Sequence, residues 1–215
     1  VRQLSLLLLC LLLQACTQTQ KGLEQTVMLA INGPDDVTIT DEQVQNLPYA
    51  SMYARVNDGP RIFVVLGYNE NGLQKWITQD KAMLVFRHGR LVKTLGLPDN
   101  LEDVSNLAQD PLTDALHLHN GAGWTRVVQW REQANVRAAT AVSTFQRGDD
   151  SVLNLAGEQV ACRVWHETVR IDSLGATWQN TFWIDNRDGT VLQAQQTLAA
   201  DAYPIVTTLL KPAKS

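Results

Sequence analysis

Apolar and polar positions follow three distinct patterns along this chain. Leu4 to Leu13 is an almost unbroken leucine run, interrupted only by Ser5 and Cys10. Lys21 to Ile31 then places Leu23, Val27, Ala30 and Ile31 on one face at helical spacing, and Asn32-Gly33-Pro34 stops that helix. A second short helix is expected over Asp41 to Leu47. Thr40 caps it, Gln43 stands three residues into the box, and Pro48 follows.

From there the period changes to two. Tyr49–Val56 leads into the turn Asn57-Asp58-Gly59-Pro60, and Arg61–Tyr68 alternates with Ile62, Val64, Leu66 and Tyr68 on one side. Asn69-Glu70-Asn71-Gly72 is a second turn. Leu73–Thr78 and Lys81–Phe86 follow, the latter closing at Arg87-His88-Gly89-Arg90 into Leu91–Leu95. Asn100–Gln109 returns to helical spacing through Leu101, Val104, Leu107 and Ala108, with Asp99 as N-cap and Pro111 ending or restarting it. Trp124–Trp130 and Asn135–Gln146 read as strands, although the alanines of the latter also suit a helix. Gln159–Ile171, Thr177–Asp185 and Thr190–Leu198 complete the pattern, with Asn186-Arg187-Asp188-Gly189 closing a hairpin. The expected fold is mainly β: one large curled antiparallel sheet, sandwich or half-barrel-like, with a few short helices.

The tryptophans add to this picture. Trp124, Arg126, Val128 and Trp130 share one strand face, and Trp178, Asn180, Phe182 and Ile184 share another. Trp183 points the opposite way, with Gln179 and Thr181. Aromatic residues on both faces fit a sheet covered on both sides. They also fit a groove for a sugar or acyl chain, with Trp124, Arg126, Trp130, Trp178 and Trp183 as candidate ligand-binding residues.

Other chemistry is sparse. His117 and His119 have the spacing of some metal pairs, but no third ligand lies near in sequence, so capping or surface histidines are expected and no metal. His88 sits in a turn signal. Cys162 stands roughly 13 Å from His166 along one strand face, too far for a thiol–base pair, and is expected as a buried small hydrophobe. No nucleophile elbow, phosphate loop or dinucleotide fingerprint appears, so neither a cofactor nor an enzyme is expected. A glycan hydrolase would need two acids roughly 5–10 Å apart, which no motif marks. Formal net charge is −4 over 215 residues and no basic block stands out, which argues against nucleic acid as a partner.

The leucine run is about half of what a spanning helix needs, and with Arg2 before it and Ala15 after it has the parts of a signal peptide. Leu13-Gln14-Ala15-Cys16 resembles the lipobox of bacterial lipoproteins. That resemblance implies cleavage before Cys16, acyl chains on Cys16, a polar tether over 16–20 and one mainly-β periplasmic domain over 21–215. Thr17 stands where an Asp tends to retain lipoproteins at the inner membrane, so the outer membrane, facing the periplasm, is expected.

Gly123-Trp124-Thr125-Arg126, the run Trp178 to Asp185 and the run Gly189 to Gln196 resemble the YjbF/GfcB (YmcC-like) family of lipoproteins. The resemblance implies a non-enzymatic accessory or binding factor in capsule or exopolysaccharide assembly and export. Membrane lipid would be its partner through Cys16, beside polysaccharide or export-machinery proteins. The final hairpin is also similar to the sheets of periplasmic lipoprotein carriers, which leaves a lipid- or lipoprotein-carrier-like module with an apolar hollow as the alternative.

Overall fold

The computed structural model describes residues 36–213. The leader, Cys16, the tether and the helix expected over Lys21 to Ile31 lie outside them.

The first helix, α1 (Asp41–Asn46), forms where the capping pattern places it. Gln43 N–H donates to Thr40 Oγ1 at 3.2 Å and Thr40 N–H to Gln43 Oε1 at 2.9 Å. Its one buried residue, Val44, packs with Ile39, Leu47 and Phe63 on the outside of the sheet.

Thirteen strands follow among the described residues. They are β1 (Ser51–Val56), β2 (Ile62–Glu70), β3 (Leu73–Ile77), β4 (Met83–Arg87), β5 (Arg90–Leu95), β6 (Asn100–Val104) and β7 (Gly123–Glu132). Then come β8 (Asn135–Arg147), β9 (Ser151–Leu155), β10 (Glu158–Ile171), β11 (Ala176–Asp185), β12 (Val191–Thr197) and β13 (Pro204–Lys211). All pair antiparallel in the order β5-β4-β3-β2-β1-β13-β12-β11-β10-β8-β7-β6, with β9 beside β10.

Several turns follow from their residues. Asn71-Gly72 (φ 54 and 78°) and His88-Gly89 (φ 48 and 77°) are left-handed pairs, the backbone that a two-residue hairpin needs. Ala156-Gly157 (φ 49 and 83°) makes the same turn between β9 and β10. Alanine there gives no turn signal, and β9 was not expected. Nor was β13, whose first residue is proline and whose Thr-Thr-Leu-Leu run lacks alternation.

One expectation is corrected. Asn100–Gln109 is not a helix: Asn100–Val104 is β6, paired to β7, and only Leu107–Gln109 makes a 3₁₀ turn. A bulge between Leu101 and Asp103 lets Leu101 and Val104 both face the core at a spacing of three. That spacing imitates a helix.

The sheet curls until its edge strands β5 and β6 meet, nearly closing a barrel. Side chains make the seam: Leu101 N–H donates to Thr94 Oγ1 at 2.9 Å, Lys93 Nζ to the Glu102 carbonyl at 3.1 Å, and Asn100 Nδ2 to the Leu97 carbonyl at 2.8 Å. Exposed outward positions of β7, β8, β10 and β11 include many Thr and Gln, such as Thr125, Gln129, Thr140, Thr144, Thr168 and Gln179, beside Val127, Val136 and Val142. Inward positions are mostly apolar and buried. A kinked 3₁₀ segment, Pro111–His117, enters one end and plugs it with Leu112 and Ala115 against Phe145, Trp165 and Phe182.

Candidate functional site

A polar layer crosses the apolar interior. On β8, β10, β11 and β12 the inward residues Ser143, Glu167, Asn180 and Gln196 separate two apolar clusters. Phe145, Trp165, Phe182 and Ala194 lie on the plug side. Ala141, Val169, Trp178 and Leu198 lie on the other. Register aligns them: Trp124, Ser143, Val169 and Trp178 form one rung, and Phe145, Glu167 and Asn180 the next.

Arg90, at the start of β5, reaches into this layer. Its Nε and Nη2 donate to Asp110 at 2.9 and 3.2 Å, and its Nη1 donates to Glu167 Oε2 at 2.6 Å. Asn180 Nδ2 also donates to Glu167 Oε2, at 2.8 Å. Arg126 Nη1 donates to Ser143 Oγ at 3.0 Å and stands 3.4 Å from Glu167 Oε1. Aromatic rings enclose the guanidinium groups: Arg126 lies 4.2 Å from the centre of Trp124, and Arg90 lies 4.9 Å from Trp124 and 5.0 Å from Phe182.

Burial drives the Glu167 carboxyl up. The charges of Arg90 and Arg126, with hydrogen bonds from Arg90 and Asn180, outweigh it and hold the group at about 2. Burial likewise lowers Arg90, and Asp110 and Glu167 more than reverse this. Arg126, less well partnered, is lowered by burial to about 10. All three stay charged at neutral pH. Removing water from such charges is expensive and is offset only by close pairing and hydrogen bonds.

Asp110 extends the layer to the plug. It precedes Pro111 and its Oδ1 accepts the Leu112 N–H at 3.1 Å, an N-cap beside a proline at the first position. Arg90 therefore ties the β4–β5 turn to the plug through one carboxylate.

Between that turn and the plug opens a hollow of about 440 Å³. Its buried lining includes Met52, Trp76, Phe86, Leu112 and Thr207. Its exposed or half-exposed lining includes Asn69, Gln74, His88, Thr113, Asp188 and Thr190. Gln74 Oε1 accepts the Trp76 indole N–H at 3.3 Å.

The aromatic residues singled out in the sequence divide between two places. Trp124, Arg126 and Trp130 do share a face, but it is the barrel interior, where they are 3, 5 and 5% exposed. The face offered in the sequence as a groove is thus packed core, because the sheet curls around it. Trp178 is half-buried on the same inner side. Trp183 lies on the outer side, paired with Val164 and Gln193 and half-buried against Val160, Cys162 and Leu192. Cys162 is fully buried, and burial pushes its thiol up. His117 is exposed and bonded to Asp114 at 2.8 Å, and His119 and His88 are exposed.

Arg90, Asp110 and Glu167 were not singled out in the sequence. Glu167 carries a signal all the same: it occupies an inward position of an otherwise apolar strand face, as do Asn180 and Gln196. A polar residue at the same level of three strands marks a buried layer.

The described residues thus form a nearly closed antiparallel barrel with a filled interior and a hollow at its plugged mouth. The chain belongs to the YjbF family: the model described as "Group 4 capsule polysaccharide lipoprotein gfcB, YjbF" matches residues 24–210. It is 45% identical to the uncharacterized lipoprotein GfcB of Escherichia coli K12, over 99% of this chain and 100% of that protein. It is 46% identical to the uncharacterized lipoprotein YjbF of the same strain, over 98% of each. The crystal structure of the hypothetical lipoprotein YmcC from E. coli K12 superposes with a TM-score of 0.79 at 48% identity, covering 82% of this chain and 91% of that one. Among the described residues no helix is long and apolar enough to cross a membrane.

Proposed function

We propose that this chain is a lipid-anchored, non-enzymatic accessory factor in the assembly and export of capsule or exopolysaccharide. Acyl chains on Cys16 hold it to the outer membrane, and the barrel faces the periplasm. The observation that carries this reading is the match to a family of capsule polysaccharide lipoproteins over residues 24–210. Leu13-Gln14-Ala15-Cys16 supports the anchor, since several acyl chains bind a membrane stably where one binds only marginally. The interior carboxylates Asp110 and Glu167 are committed to arginines, which suits positioning rather than proton transfer. The test is deletion of the gene in its own strain, followed by quantification of surface polysaccharide. Export should fall and return with the parent chain. Unchanged polysaccharide in the deletion strain would overturn the reading.

A second reading, a lipid- or lipoprotein-carrier-like module, draws on the apolar part of the hollow, where Met52, Trp76 and Phe86 are buried. Native mass spectrometry of the purified chain decides it: lipid bound within the barrel, beyond the acyl chains on Cys16, would favour this reading.

A further inference from the structure

We propose that the hollow at the plugged mouth binds an uncharged sugar unit of a glycan chain. This rests on the accessory role in polysaccharide export and names the ligand class for it. At about 440 Å³ the hollow falls within the range of small-molecule sites, roughly 300–1,000 Å³. Its buried lining includes Trp76, Phe86 and Met52, apolar groups that suit the C–H face of a pyranose ring. Its mouth offers amides, hydroxyls and carboxylates, which together donate to and accept from sugar hydroxyls. Gln74 spends its oxygen on Trp76 and keeps its amide NH₂ to donate. Asp188 receives the Thr190 N–H at 2.9 Å through Oδ1 and keeps Oδ2 to accept.

Charge selects among ligands. Asp114 and Asp188 line the mouth, and among the described residues no lysine or arginine lines the hollow. A ligand headed by a carboxylate or phosphate would therefore meet like charge, which disfavours fatty acids, phospholipids and uronic acids.

The walls are held in advance. A Cβ on Gly89 would lie 2.4 Å from Val191 Cβ, so the β4–β5 turn rests directly on the start of β12. The neighbouring Arg90 binds Asp110, which caps the segment that carries Thr113. The buried polar layer thus fixes both sides of the hollow, and little ordering remains for a ligand to impose.

The test is calorimetric titration of the full chain with maltohexaose and chitotriose as neutral probes and oligogalacturonate as the anionic one. A neutral probe should bind and the anionic one should not. Thr113→Trp, at the exposed rim, should weaken the neutral probe at least tenfold while leaving the melting temperature in place. Gln74→Ala should weaken it as well. No binding of either neutral probe, equal binding in Thr113→Trp, or a lipid that co-purifies with the parent and is lost from Thr113→Trp would each overturn the proposal. Export separates this proposal from the one beneath it. If the deletion strain loses export and Thr113→Trp restores it fully, the hollow is not the site and the accessory role stands. If deletion leaves export intact, the accessory role itself falls.

Discussion

Glu167 shows how much one buried side chain can depend on its partners. Its carboxylate is 0% exposed and held at about 2, against 4.5 for an unperturbed group. A depressed acid stabilises the fold fully above the unfolded value and loses that contribution as pH falls through the folded one. The window is thus pH 4.5 down to about 2, and the contribution is on the order of 3 kcal/mol. Glu167→Gln should flatten this limb in urea titrations run against pH. At neutral pH it should cost about 3–5 kcal/mol, because Arg90 and Arg126 lose their shared counter-charge. An unchanged acid limb would show that other carboxylates set it. Trp124 gives a second residue-scale test. Its indole N–H donates to the Asn106 carbonyl at 3.0 Å and its ring lies 4.2 Å from Arg126. Trp124→Ala should cost about 3–5 kcal/mol, and lower the melting temperature by roughly 10 °C. A melting temperature that stayed in place would return Trp124 to a ligand-binding role.

Among the elements, β5 and β6 differ from every other neighbouring pair. They close the barrel without ladder hydrogen bonds, through Thr94, Lys93 and Asn100. Asn100 accepts the Leu97 N–H and the Thr94 hydroxyl and donates to the Leu97 carbonyl, so it joins the loop to both edges. Asn100→Ala removes these bonds and leaves buried groups without partners, at about 1–3 kcal/mol. Hydrogen exchange should accelerate at β5 and β6 while β10 and β11 keep their protection. Uniform acceleration across the sheet would mean that the seam opens only with the whole barrel. Helix α1 is a contrasting element. A capping box defines it locally, and the sheet supplies only the apolar surface under Val44.

At the scale of the molecule, the barrel turns most apolar positions inward, and its outer face mixes Thr and Gln with exposed valines such as Val127, Val136 and Val142. On the lipid-anchored reading proposed above, attachment rests on Cys16. Cys16→Ser should move the chain from the membrane fraction to the soluble periplasmic fraction. Retention in the membrane fraction, with the parent's processing, would contradict the lipobox.

The sequence by itself determined the elements whose signals are local. Period-two alternation marked ten of the strands, left-handed Asn-Gly and His-Gly pairs fixed two of their turns, and Thr40 with Gln43 fixed α1. The family, too, was legible, because its aromatic strand runs are contiguous. Tertiary structure alone decided what depends on neighbours distant in the chain. Bulge geometry made Leu101 and Val104 strand residues despite their helical spacing. Curling of the sheet, which no single strand encodes, turned the face of Trp124, Arg126 and Trp130 into interior. Only the nearly closed barrel brings Arg90 to Glu167, 77 residues away, and so builds the polar layer beside the hollow. Alternation tells a strand which side is apolar, but only long-range pairing determines what that side encloses.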